Sequence, residues 1–189
     1  MILFRIAIPF SLKIIIFAFD MILLFPTELE AAKLKALRPD LDIRICGVGA
    51  VETATEVARI LHSERKSLLL CGIAGAYNHN LKKGDVVAVT EERFCRLSSG
   101  YTHTYKATIE IEGLPEAMSN TVSHCAMPSE GADIENMEGA ALFALAESEG
   151  VTCGEIRAIS NYVGEERGAW EIDLALERLT EVIMELDID

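Results

Sequence analysis

From Met21 onward, short runs of consecutive apolar residues alternate with stretches whose apolar positions recur every three or four residues. "MILLF" reads as a short buried strand. Thr27 stands where it can cap a following helix, with Glu30 three residues on, the spacing of a capping box. That helix is expected to run through Leu37 and stop before Pro39. "DIRICGVG" is a second strand ending in glycines, and helical periodicity follows through Val57, Ile60 and Leu61.

"SLLLCGIAGA" is a third strand that again runs into glycines, and "KKGDVVAVTEERF" is a turn and a fourth. Residues 98–135 are the least regular part, with "YKATIEIE" as one expected strand and "NTVSHCA" as another. "NMEGAALFALAESEG" is an Ala-rich buried helix with Gly150 at its C-terminal end. "IRAIS" is a buried strand expected to stop at Ser160 and Asn161. The last helix, about residues 170–187, should bury Ile172, Leu176, Leu179, Val182, Ile183 and Leu186. This alternation predicts an α/β domain, with helices on both sides of a mixed sheet.

Ligands of such sheets usually bind beyond the carboxyl ends of the strands. Those ends hold Glu30, Gly47-Val48-Gly49, Gly72-Ile73-Ala74-Gly75 and Ser160-Asn161. At 189 residues the chain has room for one domain with a substantial core, and its net charge of −13 disfavours nucleic acid or an anionic membrane as partner. Five widely spaced cysteines without a CxxC pair read as reduced, mostly buried thiols of a cytoplasmic protein. The four histidines show no metal-ligand spacing, so no metal is expected.

Residues 1–20 are very apolar but interrupted by Arg5, Lys13 and Asp20, so no uncharged run reaches the roughly 18 residues of a membrane helix. Two readings stand: an extension upstream of a start at Met21, and an export or anchor signal with Arg5 in its n-region. Asp20 and the missing small-residue cleavage site count against the second. Either way this extension carries no chemistry.

Neither glycine segment is a nucleotide loop, and no cofactor is expected. "GVGAVETA" lacks the third glycine of a dinucleotide fingerprint, and "GIAGA" has no following Lys-Ser/Thr. Each polar candidate has an ordinary explanation. Glu30 is the capping-box carboxylate, Glu138 favours the helix dipole, and Asn161 forms a turn before Gly164. Glu138 fits its explanation least well, because it opens a helix that otherwise looks buried. An ionised carboxylate there is suited to accept two hydrogen bonds from a vicinal diol such as that of ribose.

Together, "ILLFPTELEA", "ICGVGAVETA", "LLLCGIAGAYNHNLKKGDVVAVTEERF", "ADIENMEGAALFALAESEGV" and "EIRAISNYVGEERGAWEIDLALERL" resemble the nucleoside phosphorylase/nucleosidase family, in particular its futalosine hydrolases. The resemblance implies a three-layer αβα domain over residues 21–189 and hydrolysis of an N-ribosidic bond. It implies a small-molecule nucleoside substrate and a homo-oligomer. By motif position, Glu30 would orient and deprotonate the attacking water. Met137 would pack against the ribose, Glu138 would hold its hydroxyls, and Val48 and Ile73 would line the pocket.

Asn161 falls where related adenine-specific nucleosidases carry Asp. An Asp can protonate purine N7, whereas an amide cannot act as a general acid. Its NH2 can still donate to O6 or N7 of a 6-oxopurine, which also leaves as a better-stabilised anion. This favours futalosine, releasing hypoxanthine in menaquinone biosynthesis. Positions where the family's phosphorylases bind phosphate with Arg and Ser read Leu70 and Ile73, which favours water over phosphate. Two alternatives stay open: a methylthioadenosine/S-adenosylhomocysteine nucleosidase or inosine phosphorylase, and an inactive nucleoside-binding homologue. The last draws on the middle, about 98–131, which is shorter than the family's.

Overall fold

The computed structural model describes residues 13–15, 20–95, 103–125 and 128–186. The elements in chain order are β1 (Lys13–Ile15), β2 (Met21–Phe25), α1 (Glu28–Leu37), β3 (Asp42–Ile45), α2 (Ala50–Ser63), β4 (Ser67–Ala76) and β5 (Val86–Phe94). They continue with β6 (Thr104–Lys106), β7 (Glu110–Glu112), β8 (Glu116–Thr121), β9 (Ile134–Asn136), α3 (Gly139–Glu149), β10 (Cys153–Tyr162) and α4 (Ile172–Glu185).

Eight strands form one sheet in the order β10-β5-β8-β9-β4-β2-β3, with β6 on the edge of β5. β10 pairs again with β4, so part of the sheet closes on itself. β3, β2, β4 and β10 run parallel, while β5 and β9 meet β10 and β4 antiparallel. The sheet is therefore mixed, as the alternation predicts.

Two apolar cores cover its faces. Leu34 of α1 and Leu179 and Ile183 of α4 pack on Leu23, Phe25, Leu69 and Ile156. Val57 and Ile60 of α2 and Leu142 and Phe143 of α3 pack on Leu24, Leu68 and Leu70. Each fully buried side chain of this size contributes about 1.5–3 kcal/mol of transfer free energy. The three-layer αβα architecture follows from this two-sided burial.

Four expectations need correction. "YKATIEIE" is two short strands rather than one, because Thr108 turns aside to the start of β10. Its hydroxyl donates to Cys153 O (3.2 Å) and accepts from Cys153 N (2.7 Å). The next strand begins at Glu116, earlier than "NTVSHCA" suggests. Residues 134–136 form a strand, so the buried helix starts at Gly139 instead of Asn136. In the last helix Leu179 and Ile183 are buried, but Leu176 and Val182 are half-buried and Ile172 turns to a cavity.

Of the N-terminal extension, β1 pairs antiparallel with β7, Ile14 opposite Ile111. Most of that extension and of the stretch "CRLSSGY" lies outside the described residues.

Candidate active site

A cavity of about 280 Å³ opens at the carboxyl ends of β2, β3, β4 and β10. Glu30, Val48, Ile73, Met137, Glu138 and Asn161, the six residues expected at the site, all line it. They reach it from five separate segments. Pro26 and Thr27 follow β2, and Thr27 caps α1 by accepting Glu30 N–H at 3.2 Å. This places Glu30 one turn into the helix, facing the end of β4. Val48 sits on the turn between β3 and α2 and is half exposed.

The helix cap is made, but the Glu30 carboxylate does not close a capping box. One oxygen accepts from Thr27 Oγ1 (2.7 Å) and the other from Ile73 N–H (3.2 Å). Burial raises its pKa above the ordinary glutamate value of 4.5, opposed by the Thr27 bond and the nearby Arg157 charge. A buried carboxylate with raised basicity suits general-base work at neutral pH.

Glu138 is the residue before α3 and makes no cap bond with its side chain. Asn136 makes that cap, its Oδ1 accepting from the N–H groups of Glu138 and Gly139 at 2.8 Å each. The Glu138 carboxylate is thereby released for the cavity. Its Oε1 accepts from Gly49 N–H (2.9 Å), and its Oε2 from Arg157 Nη2 (3.2 Å) and Met137 N–H (3.3 Å). Charge-assisted bonds of this kind fix its direction.

β10 does not end at Ser160 and Asn161, as the sequence suggests; it runs on to Tyr162. The pairing with β4 slips between Ile159 and Asn161, so Ser160 is a bulge residue. Bulges re-aim neighbouring side chains, and here the result is a polar pair at the cavity. Ser160 Oγ donates to Asn161 Oδ1 (2.7 Å), and Asn161 Nδ2 donates to Tyr162 O (3.1 Å). The amide is fixed, with one N–H not used by the described residues.

Arg157 and Asn136 also line the cavity, and sequence reasoning missed both. Arg157 is only 1% exposed. Besides Glu138 it bonds Glu155 Oε1 through Nε (2.6 Å), Asn136 Oδ1 (3.2 Å) and Ile73 O (3.2 Å). Gly72 makes room for it, since a methyl group there would lie 2.6 Å from Arg157 Nη1. "EIR" carried a signal: charges two apart in an otherwise apolar strand share one buried face. Such charges persist only when paired.

Cys125 also borders the cavity. Burial raises its thiol pKa, pushes Cys46 up to about 11 and Cys153 up to about 12, which keeps these cysteines protonated. Among the described residues no group of three His, Cys, Asp or Glu side chains is placed to hold a metal ion. No helix among them is long and apolar enough to cross a membrane.

Residues 115–186 match the family model described as the phosphorylase superfamily. No curated protein matches the chain. Its fold is shared with solved nucleosidases. The 5'-methylthioadenosine/S-adenosyl homocysteine nucleosidase of Campylobacter jejuni superposes with a TM-score of 0.73 at 16% identity, over 89% of this chain and 96% of that one. A futalosine hydrolase of Helicobacter pylori gives 0.70 at 13% identity, over 87% and 96%. An MTAN of Chlamydia trachomatis gives 0.76 at 20% identity, over 88% and 96%. The matched segment and the shared fold support the nucleoside phosphorylase/nucleosidase family.

Proposed function

We propose, from that family and from the residues around the cavity, that this protein hydrolyses the N-ribosidic bond of a 6-oxopurine nucleoside, futalosine above all. The observation that carries this reading is the convergence of Glu30, Glu138 and Asn161 on one cavity from three different segments. Glu138, held by Gly49 and Arg157, accepts hydrogen bonds from the ribose hydroxyls, and Met137 packs beside the sugar. Glu30 takes a proton from water as it attacks the anomeric carbon of an oxocarbenium-like sugar. Val48 and Ile73 form apolar walls.

Asn161 donates its remaining N–H to O6 or N7 of the departing base. No acid is needed at that position, because hypoxanthine leaves as an anion whose charge the ring and O6 share. Water rather than phosphate is the acceptor, since Leu70 is buried in the core and Ile73 presents only a backbone N–H, already taken by Glu30. An adenine nucleosidase is the second reading, because such enzymes share the fold as closely as the futalosine hydrolase does. The amide of Asn161 speaks against it, being unable to protonate N7.

The domain so read is residues 21–189, shortened around 98–131. It works in the cytoplasm as a homo-oligomer, with hypoxanthine release as a step of menaquinone biosynthesis.

The test is base release from futalosine, inosine and methylthioadenosine, each with and without phosphate. Hypoxanthine from futalosine without phosphate is expected. Adenine release supports the second reading, and a strict phosphate requirement points to an inosine phosphorylase instead. No turnover combined with nucleoside binding identifies an inactive binding homologue.

A further inference from the structure

Beneath the first turn of α3, two carboxyl groups face each other in the interior. Glu155 is fully buried, and its Oε1 accepts from Arg157 Nε at 2.6 Å. Its Oε2 receives no hydrogen bond from any donor among the described residues. Glu92 is also fully buried. One of its oxygens accepts from Thr121 Oγ1 (2.8 Å) and the other from Asn136 Nδ2. A methyl group on Gly139 would collide with Oε1 of Glu92 and Oε2 of Glu155 at once, so the two oxygens converge on one spot. Two ionised carboxylates do not share such a place; one keeps a proton.

The pair is wired to the candidate site. Asn136 Nδ2 donates to Glu92 and to Ser119 Oγ (2.8 Å), which turns Oδ1 toward the N–H groups of Glu138 and Gly139 and toward Arg157. We propose that Glu92 is a positioning residue, carrying the buried proton of a Glu92–Glu155 acid pair and holding Glu138 in place through Asn136. The role of Glu138 as diol acceptor rests on the nucleosidase reading; the acid pair does not.

The groups that face the pair come from every element around it. β10 brings Glu155 and Arg157, and the entry to α3 brings Glu138. β8 brings the Ser119 and Thr121 hydroxyls, and β4 brings the Cys71 thiol. Arg157, the cation among these, is already committed to Glu155 and Glu138. Burial first, and Glu155 second, push the Glu92 carboxyl up to about 8. Burial raises Glu155 as well.

The sign follows. A group whose pKa is higher folded than unfolded stabilises the fold most below the unfolded value, and loses that contribution as pH rises to the folded value. For Glu92 the loss runs from 4.5 to about 8 and then levels off. In the native protein, loss of that proton above about 8 sets two charged carboxylates against each other next to Asn136, the residue that holds Glu138.

The test compares the parent with Glu92→Gln, which cannot ionise: an amide N–H turned to Glu155 Oε2 replaces the proton, while Asn136 Nδ2 loses its acceptor there and keeps its bond to Ser119 Oγ. Three readouts are used: the carboxylic-acid carbonyl stretch in the infrared, Tm against pH, and kcat for futalosine against pH. The parent is expected to show a protonated buried carboxyl band at neutral pH, which Glu92→Gln lacks. Its Tm should fall across the window given above, and the variant should lose that component. The alkaline limb of kcat should move up by at least about one pH unit in the variant, a tenfold change in proton activity.

Identical pH profiles in the two proteins would overturn the proposal, as would a parent without the band at neutral pH. If Glu92→Gln does not fold, the parent's band and its Tm profile decide. A parent that shows both but turns over no nucleoside removes the nucleosidase reading and keeps the acid pair.

Discussion

Ile156 and Ala158 on one face of β10, and Glu155 and Arg157 on the other, are all at or within 1% of full burial. They meet opposite demands. The first pair enters the apolar core under α1 and α4, where area removed from water is the whole contribution. The second pair enters a polar network in which each charge must find partners or be costly. One face therefore holds the fold, and the other links the sheet to the cavity. A strand needs a side chain of about the right size on the first face, whereas the second tolerates only the side chains that complete its bonds.

The largest effect should come from the cavity end of the polar network. Glu30→Gln is expected to lower kcat for futalosine by about 10²–10⁴-fold, the usual worth of a positioned acid–base group, and Glu138→Gln by about 10–10²-fold, the worth of hydrogen bonds to a charged acceptor. Tm should change little in Glu30→Gln but fall in Glu138→Gln, which leaves the buried Arg157 with one ion pair fewer; near-normal turnover in either variant would remove its assigned role. The apolar face should respond in the reverse way. Ile156→Ala is expected to destabilise the protein by about 2–5 kcal/mol in denaturant unfolding, leaving kcat of the folded fraction unchanged. A loss of kcat without a loss of stability would break the contrast between the faces.

Asn161→Asp should lower futalosine turnover by about tenfold, the worth of roughly one hydrogen bond to the base. Unchanged turnover would exclude base reading by that residue. The smallest effect concerns pH. Because burial raises Glu30, the acid limb of kcat/KM should lie above the ordinary glutamate value of 4.5. A limb at or below 4.5 would show that Glu30 is not the base.

The same contrast explains what could be read from the sequence. Periodicity reports apolar faces, so β2, β4, α2 and the core of α4 were legible as alternating elements. The strand ends were legible because glycines and polar residues interrupt apolar runs there. β6, β7 and β9 were not, being three residues each, too short to show alternation. The break at Thr108 depends on bonds to Cys153, 45 residues away. The network of Glu92, Asn136, Glu155 and Arg157 was hidden for a similar reason. Its members lie on β5, β9 and β10, and pattern alone does not pair charges across strands. Only "EIR" hinted at a charged face turned inward.

Water attack at the anomeric carbon is the step on which the whole reading depends. Turnover of futalosine in ¹⁸O-labelled water, with phosphate absent and the sugar product examined by mass spectrometry, follows that step directly. The expected result is one ¹⁸O in the sugar product and none in hypoxanthine, with Glu30→Gln nearly inactive. Absence of label in the sugar, release dependent on phosphate, or full activity in Glu30→Gln would contradict it.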